Sequence, residues 1–589
     1  MDKKYFKVAV IFSWGAFFSL ASLWASRVPT IAGHGIFLTP EAVSLLGVTL
    51  LISLLASYLL PDFLVRKGIL DFSRSHTKNL SIPIGILALA GLVFILLWVN
   101  RHILHSFLSS ADEHSCYFLA ECLRKGKLYV EKPPLADFFK VVNVGMRDGK
   151  WFSVYPPGWP LIWILGLQFN IVDWLNPVMS SVAVFFLYLS GKKLFGRSSA
   201  ILGLTIMGLS PFFMFTAASY FSHGTCLLMI AIFLYSFLRW REAYAEGKDP
   251  VGWAIVCGIA VGYGLMTRYL TMAAIAGPFL LYHFLPIFFE WKGFKKQFPS
   301  HGRFGWMPFS LKRPQLRKGD WIVIGSIGMF MILILAQNYL VTGKMLKPPT
   351  KYHQSWERLG FKKGHYTPID ALVFLLGRIF YLMDWFAPAF VGCYLFLMPG
   401  WMKRIREDVL KNLFRLSMVF LAFAYFLYYS WGGNQWGPRY WWEGMPFLCI
   451  AVADWIVIRW RDGGLRIRKF LLVFVMASLA TSGVLFAKHA AFTEEASRQR
   501  RALFDLVEQT IHEPTIVFIH GHLGNRLIIA EEDSVRNSPF LDGRILYAHD
   551  LGERNKELFA AYPDRSYYRG TYDLKKNHAV LEKIEKSFA

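Results

Sequence analysis

The chain has 589 residues, of which 54% are hydrophobic and only 18% charged. A soluble globular domain carries about 25% charged residues, so the composition excludes an ordinary soluble enzyme and indicates a polytopic membrane protein. The formal net charge of +24 would suggest nucleic acid in a soluble chain. Here the basic residues fall in short loops between apolar runs, where they set orientation and meet anionic headgroups, and no nucleic-acid partner is expected.

A membrane-spanning helix needs about 20 apolar residues. Met1-Asp2-Lys3-Lys4 precedes the first such run without a small-residue cleavage site, so this run reads as a retained helix and not a signal peptide. In chain order the apolar runs cover 5 to 27, 42 to 61, 80 to 100, 173 to 191, 198 to 213, 219 to 239, 251 to 267, 270 to 288, 320 to 341, 369 to 398, 412 to 430, 444 to 459 and 469 to 487. That is an expectation of about 13 transmembrane helices. With Lys3, Lys4 and Lys7 inside, alternation puts Arg66-Lys67, Lys192-Lys193, Arg239, Arg241, the basic stretch 292 to 318, Lys403-Arg404 and Arg459 to Lys469 on the cytoplasmic face. The loop 101 to 157, the segments 342 to 368 and 431 to 443, and the C-terminal tail then face outward. The apolar but short 158 to 170 lies in or on the outer leaflet.

After 487 the composition changes. Short β-like runs at 515 to 519, 526 to 530 and 544 to 548 alternate with Gly, Asn and Asp turns. Residues 489–589 are therefore expected to form a small soluble α/β extracytoplasmic domain behind an all-α transmembrane domain of residues 1–488. The six Cys are scattered, and none is given a metal or redox role. Cys116 and Cys122 share the outward loop but point to different faces of a helix.

Most of the suspicious polar residues gather in the loop 101–157. Asp112 and Glu113 follow directly on the third apolar run, at the rim of the bundle, where a shielded carboxylate has its pKa shifted toward working pH and deprotonates an acceptor. From these two residues alone, a pair of solvated headgroup-zone acids is an equal alternative. Glu131-Lys132-Pro133-Pro134 presents an acid and a base rigidly, because the prolines fix φ and hold Lys132 out of helical geometry. A lysine so held can neutralise a departing phosphate, although a turn before a helix with a headgroup-facing lysine explains it as well.

Asp112-Glu113 followed by Glu131-Lys132-Pro133-Pro134-Leu135 resembles the first external loop of polyprenol-phosphate-sugar-dependent glycosyltransferases of family 39. That family comprises protein O-mannosyltransferases and lipid A aminoarabinose transferases with the multi-helix GT-C fold. Tyr155-Pro156-Pro157-Gly158 and the stretch from Trp431 to Tyr440 are similar to patterns in bacterial members. The resemblance covers about 80 to 570. It implies a catalytic base at Asp112, supported by Glu113, and a donor-phosphate contact at Lys132. It also implies that Glu131 either ligates a divalent metal ion or holds the acceptor; in the first case a His on another helix joins it, for which His223 is the candidate, although a helix-end His without a ligand role explains His223 as well and many relatives carry an Asp near that position.

Arg268 and Arg439 fall on the predicted outward face, and a guanidinium suits phosphate recognition. Snorkelling to headgroups explains Arg268 equally, whereas the Gly437-Pro438-Arg439 setting favours the donor site. No Walker or Rossmann motif is present, so no nucleotide is expected. The sequence therefore points to an integral membrane glycosyltransferase that moves a sugar from a polyprenyl-phosphate carrier to a lipid, glycan or protein acceptor. Its expected place is a bacterial inner membrane, with the site toward the periplasm. The alternative is a carrier or flippase of lipid-linked sugars, which Asp384, inside an apolar run, would suit.

Overall fold

The computed structural model of the chain describes residues 40–62, 65, 82–288, 316–353, 359–430, 435–521, 523 and 535–585. The expected first span at 5 to 27, most of the basic stretch 292 to 318, residues 431–434 and the expected strand at 526 to 530 lie outside them. The helices are α1 (Pro40–Leu59), α2 (Ile82–Trp98), α3 (Ala111–Arg124), α4 (Gly158–Phe169), α5 (Val172–Phe195), α6 (Arg197–Gly208), α7 (Pro211–Ala218), α8 (His223–Ala245) and α9 (Val251–Phe288). They continue with α10 (Lys318–Thr342), α11 (Pro349–His353), α12 (Pro368–Trp385), α13 (Pro388–Lys403), α14 (Val409–Phe426), α15 (Met445–Asp462), α16 (Leu465–Thr510) and α17 (Asn555–Ala561).

Eight of the described helices are long and apolar enough to cross a membrane, or nine if the bent pair α6 and α7 makes one span, against the thirteen runs expected. The difference has local causes. The runs 251 to 267 and 270 to 288 are two helical segments of α9 that meet at a kink at Arg268, whose φ of −146° and ψ of 82° are not helical, and together they count as one span. The single run 369 to 398 is instead two helices, because Phe386 is extended and Pro388 restarts the chain as α13. The run 198 to 213 bends by 70° where Ser210 caps α7 and Pro211 takes its first position. The last apolar run, 469 to 487, belongs to a 46-residue helix, α16, that runs on to Thr510 in the C-terminal region.

The bundle core is a continuous apolar cluster running from Leu96 and Phe212 through Phe279 to Trp442 and Phe474. Helix α8 packs between α5 and α9, α9 against α10, and α6 against α15.

Two small sheets lie at the end of the bundle where α3 begins. The loop after α3 folds into β1 (Val130–Glu131), β2 (Val144–Arg147) and β3 (Lys150–Ser153), antiparallel in the order β1-β3-β2, with Val130 opposite Trp151 and Met146 opposite Trp151. The C-terminal region forms β4 (Thr515–Ile519), β5 (Ile545–His549), β6 (Ser566–Asp573) and β7 (His578–Lys583), in the order β5-β4-β6-β7. β4, β5 and β6 run parallel and β7 is antiparallel to β6. All five β4 residues are buried, as suits a strand covered on both faces. One face carries Val517 and Ile519 against Leu503 and Val507 of α16. The other carries Ile516 and Phe518 into one core with Phe118, Phe138, Phe139 and Trp151 of the segment 101–157. Cys116 and Cys122 are free and buried in different clusters, one with Trp159 and Trp163 and the other with Phe118 and Trp151.

Candidate active site

Ser110 caps α3, and its partner in the capping box is Glu113. The Glu113 carboxylate accepts from the backbone N–H groups of Ser109 at 2.5 Å and Ser110 at 3.1 Å. Its other oxygen takes the N–H of Tyr220 at 2.8 Å, tying the start of α3 to the segment before α8. Burial pushes the Glu113 pKa up to about 7 against these hydrogen bonds. Its side chain turns into the protein and does not line the cavity described below.

Asp112, one residue earlier in the first turn, faces that cavity. Its Oδ1 accepts from the Tyr155 hydroxyl at 2.5 Å and from Asn143 Nδ2 at 2.6 Å, and its Oδ2 from Arg439 Nη2 at 2.6 Å. Burial pushes the Asp112 pKa up. The Arg439 charge, the hydrogen bonds from Tyr155 and Arg439, and the Arg268 charge outweigh it and hold the carboxyl below the usual aspartate range. Tyr155 is pushed up by burial and by the Asp112 charge, so it stays a donor.

Arg439 is delivered by a turn that sequence alone hinted at. Trp436 and Gly437 both have positive φ, 57° and 112°, and a Cβ on Gly437 would stand 2.6 Å from Phe212. Pro438 follows, and the guanidinium lies 3.9 Å over the Phe221 ring. Arg268 enters from the break in α9. Its Nη1 donates to Ser222 Oγ at 3.3 Å, its Nη2 to the Tyr425 hydroxyl at 3.2 Å, and its Nε lies 3.1 Å from Glu443 Oε1.

The cavity is roughly 290 Å³, near the lower end of small-ligand sites. Asp112, Arg268, Arg439 and Asn143 line it with Tyr155, Tyr269, Tyr425, Tyr428, Tyr429 and Tyr440. Asp112 is the one carboxylate among these lining residues. The sequence marks Tyr155, in its Tyr-Pro-Pro-Gly run, and Tyr440, at the end of the stretch from Trp431, but not Asn143 or the other tyrosines. These residues come from segments as far apart as Asn143 and Tyr440, and no local pattern joins them.

The remaining expected residues fall elsewhere. Glu131 and Lys132 are exposed at the edge of the three-stranded sheet, where the Lys132 N–H bonds Gly149 O, and neither lines the cavity. His223 is buried at the start of α8, with Nδ1 3.0 Å from Glu443 Oε1, the same oxygen that faces Arg268. Glu443 is an acid that the aromatic run 440 to 442 concealed. No contact joins Glu131 to His223, and among the described residues no group of three or more His, Cys, Asp or Glu side chains could hold a metal. The two guanidiniums aimed into the cavity disfavour a divalent cation there, so the residues present do not fit the metal site implied by the resemblance.

Residues 161–304 match the family model described as dolichyl-phosphate-mannose-protein mannosyltransferase. Residues 531–588 match a domain of unknown function. No curated protein matches the chain in sequence. Among solved structures, ArnT from Cupriavidus metallidurans bound to undecaprenyl phosphate superposes with a TM-score of 0.50 at 11% identity, over 86% of this chain and 98% of that one. The oligosaccharyltransferase of Archaeoglobus fulgidus in its apo form gives 0.43 at 10% identity, over 83% and 70%. By sequence within residues 161–304 and by fold over most of its length, the chain is similar to GT-C membrane glycosyltransferases of the family 39 type.

Proposed function

We propose that the chain transfers a sugar from a polyprenyl-phosphate carrier to a lipid, glycan or protein acceptor on the outer face of a membrane, a bacterial inner membrane with the site toward the periplasm. The observation that carries this reading is the single carboxylate, Asp112, facing two guanidiniums in one cavity at the end of the bundle. The acceptor's oxygen or nitrogen attacks the anomeric carbon while Asp112 takes its proton. The bond from that carbon to the phosphate oxygen breaks, its electron pair leaves with the polyprenyl phosphate, and Arg439 and Arg268 hold the anion that forms. The tyrosines offer ring faces and hydroxyls to a sugar. A similar protein, ArnT, was crystallised with undecaprenyl phosphate, which supports the donor class.

In the free protein Arg439 engages Asp112, so donor phosphate competes for that guanidinium and, on winning it, makes Asp112 a stronger base. Lys132, exposed and outside the cavity, fits a contact with the donor on its way in, better than one in the transition state. The test is single-turnover sugar transfer from a polyprenyl-phosphate donor by purified protein. A positioned general base contributes roughly 10² to 10⁴ in rate, so Asp112→Asn is expected to lose that much with donor binding retained. Near-normal turnover in Asp112→Asn would defeat the assignment. Binding of the donor with no transfer by the wild type to any acceptor fraction of the cell envelope would favour the carrier alternative.

A further inference from the structure

A second polar cluster lies outside the cavity, on the C-terminal sheet. The parallel strands stand in the order β5-β4-β6, so the chain leaves β4 for β5 and returns past β4 to β6. In open parallel sheets the crevice beyond the carboxyl ends of the strands, where the strand order reverses, is the usual place for a ligand. Three side chains meet there: His520 directly after β4, Asp550 directly after β5, and Arg569 in β6 beside Phe518. Alternation along the strands puts all three on the face of Ile516, Phe518, Leu546, Ala548 and Tyr567, at the rim of the core shared with the segment 101–157.

The Asp550 side chain is 4% exposed, and its Oδ2 takes both His520 Nδ1 and Arg569 Nε at 2.9 Å. Its Oδ1 takes Asn555 Nδ2 at 2.7 Å and the Gly552 N–H at 3.1 Å. The buried carboxylate thus fixes an imidazole and a guanidinium side by side. Their outer edges stay open: the two side chains are 63% and 42% exposed, and His520 Nε2 and both Arg569 Nη atoms have no partner among the described residues.

We propose that His520 and Arg569, oriented by Asp550, form a binding site for a phosphate monoester at the carboxyl ends of the C-terminal sheet. The two Nη atoms match two phosphate oxygens, and His520 Nε2 meets a third oxygen or the proton it carries. A carboxylate ligand would fill the fork and leave the imidazole without a partner, so phosphate fits better. Asp550 touches no ligand and acts as a positioning residue. The site borders the transfer cavity through one stretch of chain. His549 bonds the Lys140 carbonyl at 2.7 Å and Arg554 reaches Asp137, while Val142 and Asn143 of the same stretch line the cavity. Resting on the transferase reading, the bound group is a phosphate of the acceptor; the site itself stands without that reading.

The experiment is equilibrium dialysis of labelled inorganic phosphate against the full-length protein in detergent, with the same measurement in Arg439→Gln to remove the cavity's own phosphate contact. Losing the fork is expected to weaken the second site roughly ten- to a hundred-fold in Arg569→Gln. The same is expected in Arg569→Lys, which keeps the charge beside Asp550 and guards against misfolding. Competition by phosphatidic acid in phosphatidylcholine vesicles would name a lipid headgroup as the source, and competition by a sugar 6-phosphate a soluble or glycan-borne one. Phosphate binding unchanged in folded Arg569→Gln and Arg569→Lys, on the Arg439→Gln background, overturns the proposal whatever the transfer assay shows.

Discussion

Asp112 accepts three hydrogen bonds, of which the one from Arg439 is also an ion pair, and its pKa follows from which of them is present. With Arg439 in place the carboxyl lies below the usual aspartate range, so in the free enzyme it is ionised at every pH near neutrality, and kcat/KM is expected to show no acid limb from Asp112 above about pH 5. Arg439→Gln removes the strongest opposing charge and leaves burial to dominate. The carboxyl's pKa then rises, and an acid limb, with activity climbing as pH rises, is expected to enter the measured range. A variant profile as flat as that of the wild type would mean that Arg439 does not set the state of Asp112. Glu113 behaves oppositely. Its pKa is raised to about 7 from an ordinary value near 4.5, so its contribution to stability is full below the ordinary value and is lost as pH rises through about 7. The apparent melting temperature of the wild type is expected to fall between about pH 5 and 8, and Glu113→Gln, which does not titrate, to flatten that slope. An equal slope in the variant would assign it to other groups.

At the scale of elements, the site depends on breaks more than on regular structure. Arg268 reaches the cavity because α9 departs from helical geometry at that one residue, and Arg439 because Trp436 and Gly437 adopt positive φ. A Gly437→Ala side chain would meet both a disfavoured φ and the Phe212 ring at 2.6 Å. It is expected to cost about 1 to 3 kcal/mol and to weaken donor binding by displacing Arg439, checked by melting and by donor titration. Unchanged donor affinity in a destabilised variant would separate the turn from the site.

The breaks also explain what could be seen beforehand. The apolar runs, the polar segment 101–157 between them and the strands at 515 to 519 and 545 to 549 follow from composition and period, which are local. The boundary between the runs 251 to 267 and 270 to 288 falls at the kink at Arg268, but that this kink turns Arg268 into the cavity did not follow, since Arg268-Tyr269 inside an apolar stretch is equally suited to a loop between spans. The pairing of Asp112 with Arg439 spans 327 residues, and Glu443 lies within an aromatic stretch that looks like an interfacial belt. Such partnerships are set by packing of distant helices, which no local pattern encodes.

For the whole molecule, the segment 101–157 and the C-terminal sheet are not separate bodies, because they share one core. Phe518 is fully buried between the two, 6.4 Å from the Phe138 ring and stacked 5.9 Å from Tyr567. The long α16 reinforces the same junction from its own side. Arg500 donates to the Ser109 carbonyl and Arg501 to that of His105, just ahead of the turn that presents Asp112. Truncating a buried Phe costs about 3 to 5 kcal/mol, and in Phe518→Ala the cavity opens toward Phe118, Phe138 and Trp151 of the loop. Leu503→Ala makes a comparable hole on the opposite face of the same sheet, against Val507 and Val517. If the sheet supports the loop through the shared core, Phe518→Ala is expected to speed amide exchange in residues 111–153 and to slow sugar transfer. Leu503→Ala, at similar loss of stability, should leave exchange in 111–153 near the wild-type rate. Equal exchange in that segment for both variants would reduce the C-terminal sheet to a neighbour of the loop bearing Asp112. A selective rise in Phe518→Ala would show that the loop bearing Asp112 takes part of its rigidity from a sheet about 400 residues later in the chain.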